Sequence, residues 1–423
     1  MKTIVTGGRV IDPSQGLDSL FDVVIEKGKV ADIVAPGKGG RAKKTIDASG
    51  CVVAPGFVDL HVHLREPGFE GKETILTGSR AAVAGGFTTI CCMANTEPVN
   101  DCSTVTGYIL AKAAHAVCKV YPVGAITIDL QGEQIADLGG LCEAGVVALS
   151  NDGVPVQNSE IMRRVFELSR QLGMVVLDHA EDADLVGNGL MNESFTSSEL
   201  GLAGNPSVAE EIAIARSMLL ARYTGCHVHI CHLSTRGGFE LIKWGKRKKI
   251  PITCEVAPHH FTLIDEDVGN YNTNCKMAPP LRSREDRAAL IKGLADGTVD
   301  AIATDHAPHG ILLKQIEFDK AANGIIGLET ALGLTLRLVQ SKKLTLNRAI
   351  GLLTNGPADV LGLEAGSLAL GRAADICVFD PSSTFVYSTD RIQSKSKNSP
   401  FIDWELPGVI RYTLVDGKVA YTG

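Results

Sequence analysis

No stretch of the 423-residue chain holds the roughly 20 consecutive apolar residues of a membrane span, so a membrane helix is excluded as a reading. The opening "MKTIVTGGRVIDP" lacks the long apolar segment of a secretory signal, and the expected location is cytoplasmic. No CxxC pair occurs among the eleven cysteines, an odd number that includes the adjacent Cys91 and Cys92. That excludes a disulfide framework and a zinc ribbon and leaves reduced, mostly buried thiols. Positive charge is also scarce. A net charge of -7 offers no surface for nucleic acid, and the one basic run, Lys243 to Lys249, reads as a helix end, where cations favour the negative pole of the helix dipole. Neither nucleic acid nor membrane is an expected partner.

What is present is a globular composition, 45% hydrophobic and 21% charged, enough for one large domain or two. The first ~50 residues alternate short β-rich pieces with glycine turns, and the last ~55 do the same, with an Asp-Gly hairpin signal at Asp416 and Gly417. The two ends are expected to form one β-sandwich unit, 1–53 plus 365–423, around a middle of 54–364. That middle alternates apolar strand runs ("GFVDLHVH", "FTTICCMAN", "KVYPVGAI", "GVVALSND", "GMVVLDHA", "CHVHICH", "IPITCEV", "TVDAIATDH") with amphipathic segments such as "SEIMRRVFELSRQLG". Eight strands alternating with helices predict a (β/α)8 TIM barrel, with a doubly wound open sheet as the alternative. Polar residues crowd the C-terminal ends of these strands, where barrel active sites are built, which favours the barrel.

In "DLHVHLREP", His61 and His63 lie two residues apart on a strand and therefore face the same way, able to share one metal ion. Alone they could equally be hydrogen-bonded core histidines. Other strand tips supply matching groups: Asp152 in "SNDG", His179 in "LDHAED", His232 in "ICHLS" and Asp305 in "ATDHAPH". Nitrogen and oxygen donors without thiolate suit one or two divalent ions, Zn2+ first and Mn2+ or Co2+ next. A second HxH pair, His227 and His229, has the opposite strand parity to His232, so it is expected to pack between barrel and helices. His259 and His260 follow the seventh strand, with their role left open between support of the site and packing.

The segments "DLHVHLREPG", "CMANTEP", "DHAED", "HICHLST", "KMAPPLR", "ATDHAPH" and "GIIGLET" together resemble the bacterial class I dihydroorotases of the amidohydrolase superfamily. The resemblance spans most of the chain. It implies a barrel with a β-sandwich from both ends, and reversible zinc-dependent hydrolysis of (S)-dihydroorotate to N-carbamoyl-L-aspartate in pyrimidine biosynthesis. It implies two zinc ions per subunit, or one: His61, His63 and Asp305 on the first, His179 and His232 on the second, and Asp152 bridging where many relatives use a carboxylated lysine. Asp305 would act as general base and acid. Arg65 and Asn95 would clamp the substrate carboxylate with His309 assisting, His63 would also border the substrate, and backbone at Asn323 and Gly324 would touch the ring. A homodimer is implied, as is assembly with aspartate transcarbamoylase in some members.

The chemistry calls for these groups. An amide carbonyl is a poor electrophile and water a poor nucleophile; a bound metal lowers the water pKa from 15.7 to about 7 and polarises the carbonyl. Three positions depart from the family pattern. Ala278 stands where many relatives have a substrate-contacting asparagine, so any contact there falls to backbone. "GILLKQIEF" after His309 is more apolar than usual, and "SNDG" replaces the common "DDG". The rival readings are a hydantoinase or allantoinase sharing barrel and metals, and an inactive assembly subunit, which would be expected to have lost metal ligands.

Overall fold

The computed structural model describes residues 2–423. Eight parallel strands follow one another in chain order: β1 (Phe57–Val62), β2 (Phe87–Cys92), β3 (Lys119–Ala125), β4 (Ala148–Ser150), β5 (Val176–Asp178), β6 (Val228–Ile230), β7 (Ile252–Val256) and β8 (Ala301–Ile302). Each falls on an apolar run read from the sequence. The ring closes beyond β8. His306 bridges Val62, His63 N donates to His306 O at 2.9 Å, and the buried Asp59 carboxylate accepts from Thr304 N at 3.1 Å. The protein is therefore a (β/α)8 barrel and not an open sheet.

Helices cover the outside because their apolar residues recur on one face. The helix Ser159–Leu172 buries Met162, Val165, Phe166 and Ser169, is capped by Asn158 and ends at Gly173 in the left-handed conformation. The basic run also ends a helix, Arg236–Arg247, where Lys243 and Lys246 pair with Asp296 and Asp300 at 2.6 Å. Among the described residues no helix is long and apolar enough to cross a membrane, and all eleven cysteines are free thiols, most of them buried.

The two chain ends build a β-sandwich. One sheet pairs Lys2–Thr6 with Asp22–Glu26 and Lys44–Asp47, and Lys29–Val34 flanks it. The other runs through Lys418–Thr422, Glu405–Val415, Ile376–Val386, Val52–Pro55, Arg9–Asp12 and Leu17–Leu20. Val5, Val23 and Ile25 of the first meet Val10, Val53, Ile376, Val378 and Leu414 of the second in a common core. Asp416 and Gly417, both left-handed (φ 48° and 71°), make the hairpin turn expected of them. Between Val386 and Glu405 the chain leaves the sandwich and crosses the C-terminal mouth of the barrel, where Asn398 is buried.

Candidate active site

Six side chains from five strand ends converge at the mouth. Asp152, just past β4, is the hub: its Oδ1 lies 3.3 Å from His61 Nε2, 3.3 Å from His179 Nδ1 and 3.4 Å from His232 Nε2, and its Oδ2 lies 3.4 Å from His63 Nε2. Asp305, past β8, sits 3.1 Å from His63 Nε2 and 3.6 Å from His61 Nε2. All six are buried. His61 and His63 leave β1 on one face as its pleat dictates. His232 and Asp305 get there differently, through left-handed backbone (φ 33° and 45°), and Arg65 shares that strain (φ 60°). Such conformations cost non-glycine residues roughly 1–2 kcal/mol each and persist where surrounding structure holds them.

The protons decide what the cluster holds. His61 Nδ1 bonds Glu255 Oε1 at 2.9 Å and His63 Nδ1 bonds Asn95 Oδ1 at 2.9 Å. His179 Nε2 faces Glu181 Oε2 at 3.5 Å. Each outer nitrogen thus donates to an oxygen, and a neutral imidazole has only one proton to give. The inner nitrogens are then lone pairs aimed at carboxylate lone pairs, and His61 Nε2, fully buried, has no hydrogen-bond partner. Acceptors facing acceptors are stabilised by a cation between them. The field agrees. Against the opposing effect of burial, Asp152 and Asp305 push His61 well above its ordinary pKa, and Asp152 and Glu181 push His179 up to about 10, so the carboxylates favour a positive charge at the inner nitrogens, for which a proton and a metal ion compete. The groups His61–His63–Asp305 and His61–Asp152–His232 each present three donors close enough for one ion. A third grouping, His61 with Cys231 and Glu255, is already hydrogen-bonded internally, and burial keeps the Cys231 thiol protonated.

Above the cluster opens a cavity of about 350 Å3, the size of a small-molecule site. Arg65, Asn95, Ala278, His309 and Asn323 line it; Gly324, the next residue after Asn323, is not part of the lining. Arg65 Nη2 donates to His309 Nε2 (3.3 Å) and its Nε to Pro308 O (3.4 Å), and burial lowers its pKa to about 10. Burial, then the Arg65 charge, keeps the His309 ring neutral, at about 2. The wall thus offers a guanidinium with no carboxylate bound to it, ready for an anionic substrate group.

Residues 50–238 match the family described as dihydro-orotase-like, and residues 294–421 match the amidohydrolase family. The chain is 50% identical to the dihydroorotase of Geobacter metallireducens, with 100% of both chains covered, and 51% identical to that of Syntrophotalea carbinolica, covering 100% of this chain and 99% of that one. The chain belongs to the dihydroorotase family. Among solved structures it is similar to the L-hydantoinase (dihydropyrimidinase) of Arthrobacter aurescens, with a TM-score of 0.89 at 26% identity over 99% of this chain and 95% of that one. As a dihydroorotase it is a cyclic amidohydrolase whose candidate metal residues occupy the barrel mouth.

In this dihydroorotase the His227–His229 pair is not where strand parity placed it. Both face the barrel axis, deeper than the cluster: His227 Nε2 and His229 Nδ1 meet Thr253 Oγ1 at 2.8 Å, and His229 Nε2 meets Glu255 Oε2 at 3.2 Å. The left-handed turn at His232 breaks the alternation and brings that ring inward too. His259 and His260 are buried behind the site, His260 donating through Nε2 to Pro279 O at 3.0 Å. Three contributors went unread in the sequence. Glu255 carries both His61 and His229, and those two bonds hold its carboxylate at about 2 against the effect of burial. Asn398 Oδ1 accepts from His309 N (3.0 Å) while its Nδ2 donates to Ala307 O (2.9 Å) and Gly324 O (3.0 Å). Lys314 Nζ donates to Ala322 O (2.8 Å) and Gly324 O (3.1 Å). A glutamate inside the otherwise apolar "ITCEV" was the available signal for Glu255; Asn398 carried none. The apolar stretch after His309 forms a short turn, Ile311–Leu313, exposed at the rim.

Proposed function

We propose that the chain opens the ring of (S)-dihydroorotate to N-carbamoyl-L-aspartate, reversibly, with zinc bound at the Asp152 cluster. His61, His63 and Asp305 would hold one ion, His179 and His232 a second, with Asp152 between them; two ions per subunit is the fuller occupancy and one the lesser. Zinc bonds of about 2.0–2.1 Å set neighbouring tetrahedral donors about 3.3 Å apart, close to the donor spacings of 3.1 to 3.6 Å around Asp152 and Asp305. When bound, the metal supplies a water acidic near neutrality and polarises the scissile carbonyl. The observation that carries the reading is the set of lone pairs facing one another beneath an unpaired guanidinium.

The protein's own groups do the rest. Arg65, with Asn95 and His309, binds the substrate carboxylate and fixes the ring in register. Backbone at Ala278, Asn323 and Gly324 lines the ring. Asp305, kept ionised by His61 and His63 against the effect of burial, takes the proton of the attacking water and returns it to the leaving ring nitrogen. Closure runs the same path backwards. We read the chain as two units, 1–53 plus 365–423 and 54–364, working as a homodimer in the cytoplasm, where unpaired thiols persist.

The test is turnover of dihydroorotate by the zinc-loaded protein, with and without added aspartate transcarbamoylase, alongside hydantoin and allantoin. Ring opening of dihydroorotate is the expected result, with one or two zinc ions per chain by elemental analysis. Turnover of hydantoin or allantoin alone would overturn the substrate, and activity only with the transcarbamoylase would show an obligate assembly.

A further inference from the structure

The helix Val208–Thr224 is apolar on two sides. One side buries Ala209, Ala213, Ile214, Met218 and Ala221 against the barrel. On the other, Val208, Ile212, Leu219 and Tyr223 reach into solvent at 41%, 47%, 48% and 74% exposure. Their spacing is that of a single helical stripe, and Ala215 sits at its middle. Ala215 and Leu219 also line an open groove with Leu241 and Trp244 of the neighbouring helix Arg236–Arg247. A solvent-facing helix surface is ordinarily polar, and a contiguous apolar patch marks an interaction site.

We propose that this stripe is the dimer face, covered by the same helix of a second copy running antiparallel about a two-fold axis; this rests on the homodimer reading above. The stripe is its own complement. Val208 and Tyr223 lie equally far from the point between Ala215 and Arg216, and so do Ile212 and Leu219. A two-fold axis there sets Val208 against the partner's Tyr223 and Ile212 against the partner's Leu219. Ala215 and Arg216 flank the crossing equally; Arg216 is drawn back onto its own chain, donating through Nη1 to Gln157 O at 2.9 Å, and the small Ala215 lets helix axes approach to about 8–10 Å. Charge falls close to the same symmetry. Glu211 stands in the first turn and Arg222 in the last; the rotation sets each Glu211 opposite the partner's Leu220, and the partner's Arg222 stands two residues, about 3 Å of helix rise, further along, within reach of its long side chain, twice per dimer. Parallel packing would oppose like charges instead.

Sedimentation of the full, zinc-loaded chain tests this. A dimer is expected, and Ile212→Glu, which acts twice in a two-fold interface, should weaken it at least about 100-fold. Glu211→Arg and Arg222→Glu should each weaken it and restore it when combined. Ala215→Cys should give a disulfide-linked dimer under mild oxidation that the wild type does not, and this variant decides the matter if Ile212→Glu fails to fold. A dimer indifferent to all of these substitutions, with no Ala215→Cys cross-link, overturns the face alone. A monomeric wild type, including one that associates only with a different protein, overturns both the face and the homodimer.

Discussion

Replacing Asn398 with alanine should separate substrate binding from metal binding. The side chain joins three buried backbone groups, and Gly324 O keeps a donor in Lys314 after the change. Ala307 O and His309 N lose the partner they have. Two orphaned buried groups cost about 2–6 kcal/mol if nothing relaxes. The neighbouring cavity admits water, so we assign roughly 1.5–3 kcal/mol of this to misplacement of the wall that carries His309 and Asn323. That corresponds to about a 10- to 100-fold fall in kcat/KM, with KM bearing most of it. Steady-state hydrolysis of dihydroorotate with zinc analysis on the same sample measures both. Asn398→Asp should be worse than alanine, since it turns a carboxylate oxygen toward two carbonyls. A kcat/KM within twofold of wild type, or loss of zinc with wild-type KM, would refute the reasoning.

Glu255→Gln should reduce metal affinity about 10- to 100-fold in chelator competition by loosening His61, and His229→Ala should act in the same direction through Glu255. Arg65→Lys should raise KM about 10-fold or more with little change in metal content, because an ammonium cannot form the two-pronged contact. Glu329, half-buried and accepting from Gln393 N and Ser394 N, has its carboxyl raised by burial to about 7. Between its ordinary value near 4.5 and 7 the folded state keeps a proton that the unfolded chain has released. Its stabilising contribution is therefore full below 4.5 and lost as pH rises to 7; Glu329→Gln should flatten that part of a denaturation profile.

The barrel was legible because all eight strands read as apolar runs and five of them carry a cluster residue at the C-terminal end. The six clustered residues were legible for the same reason: each ends a strand. What parity could not show was the left-handed backbone at His232, since nothing in "HICHLS" marks a positive φ. The strand rule therefore put His227 and His229 outside when they lie within. Asn398 was hidden by distance, 89 residues from His309 and in a stretch whose neighbours read as sandwich. Tertiary packing alone joins them.

Asn398 also ties the barrel's substrate wall to the last stretch of the chain. Its partners Ala307, His309 and Gly324 are synthesised well before it, and so are all six residues of the cluster, none of which bonds it. The order of synthesis thus divides the site in two, with the histidines and carboxylates made early and the brace of the substrate wall made last.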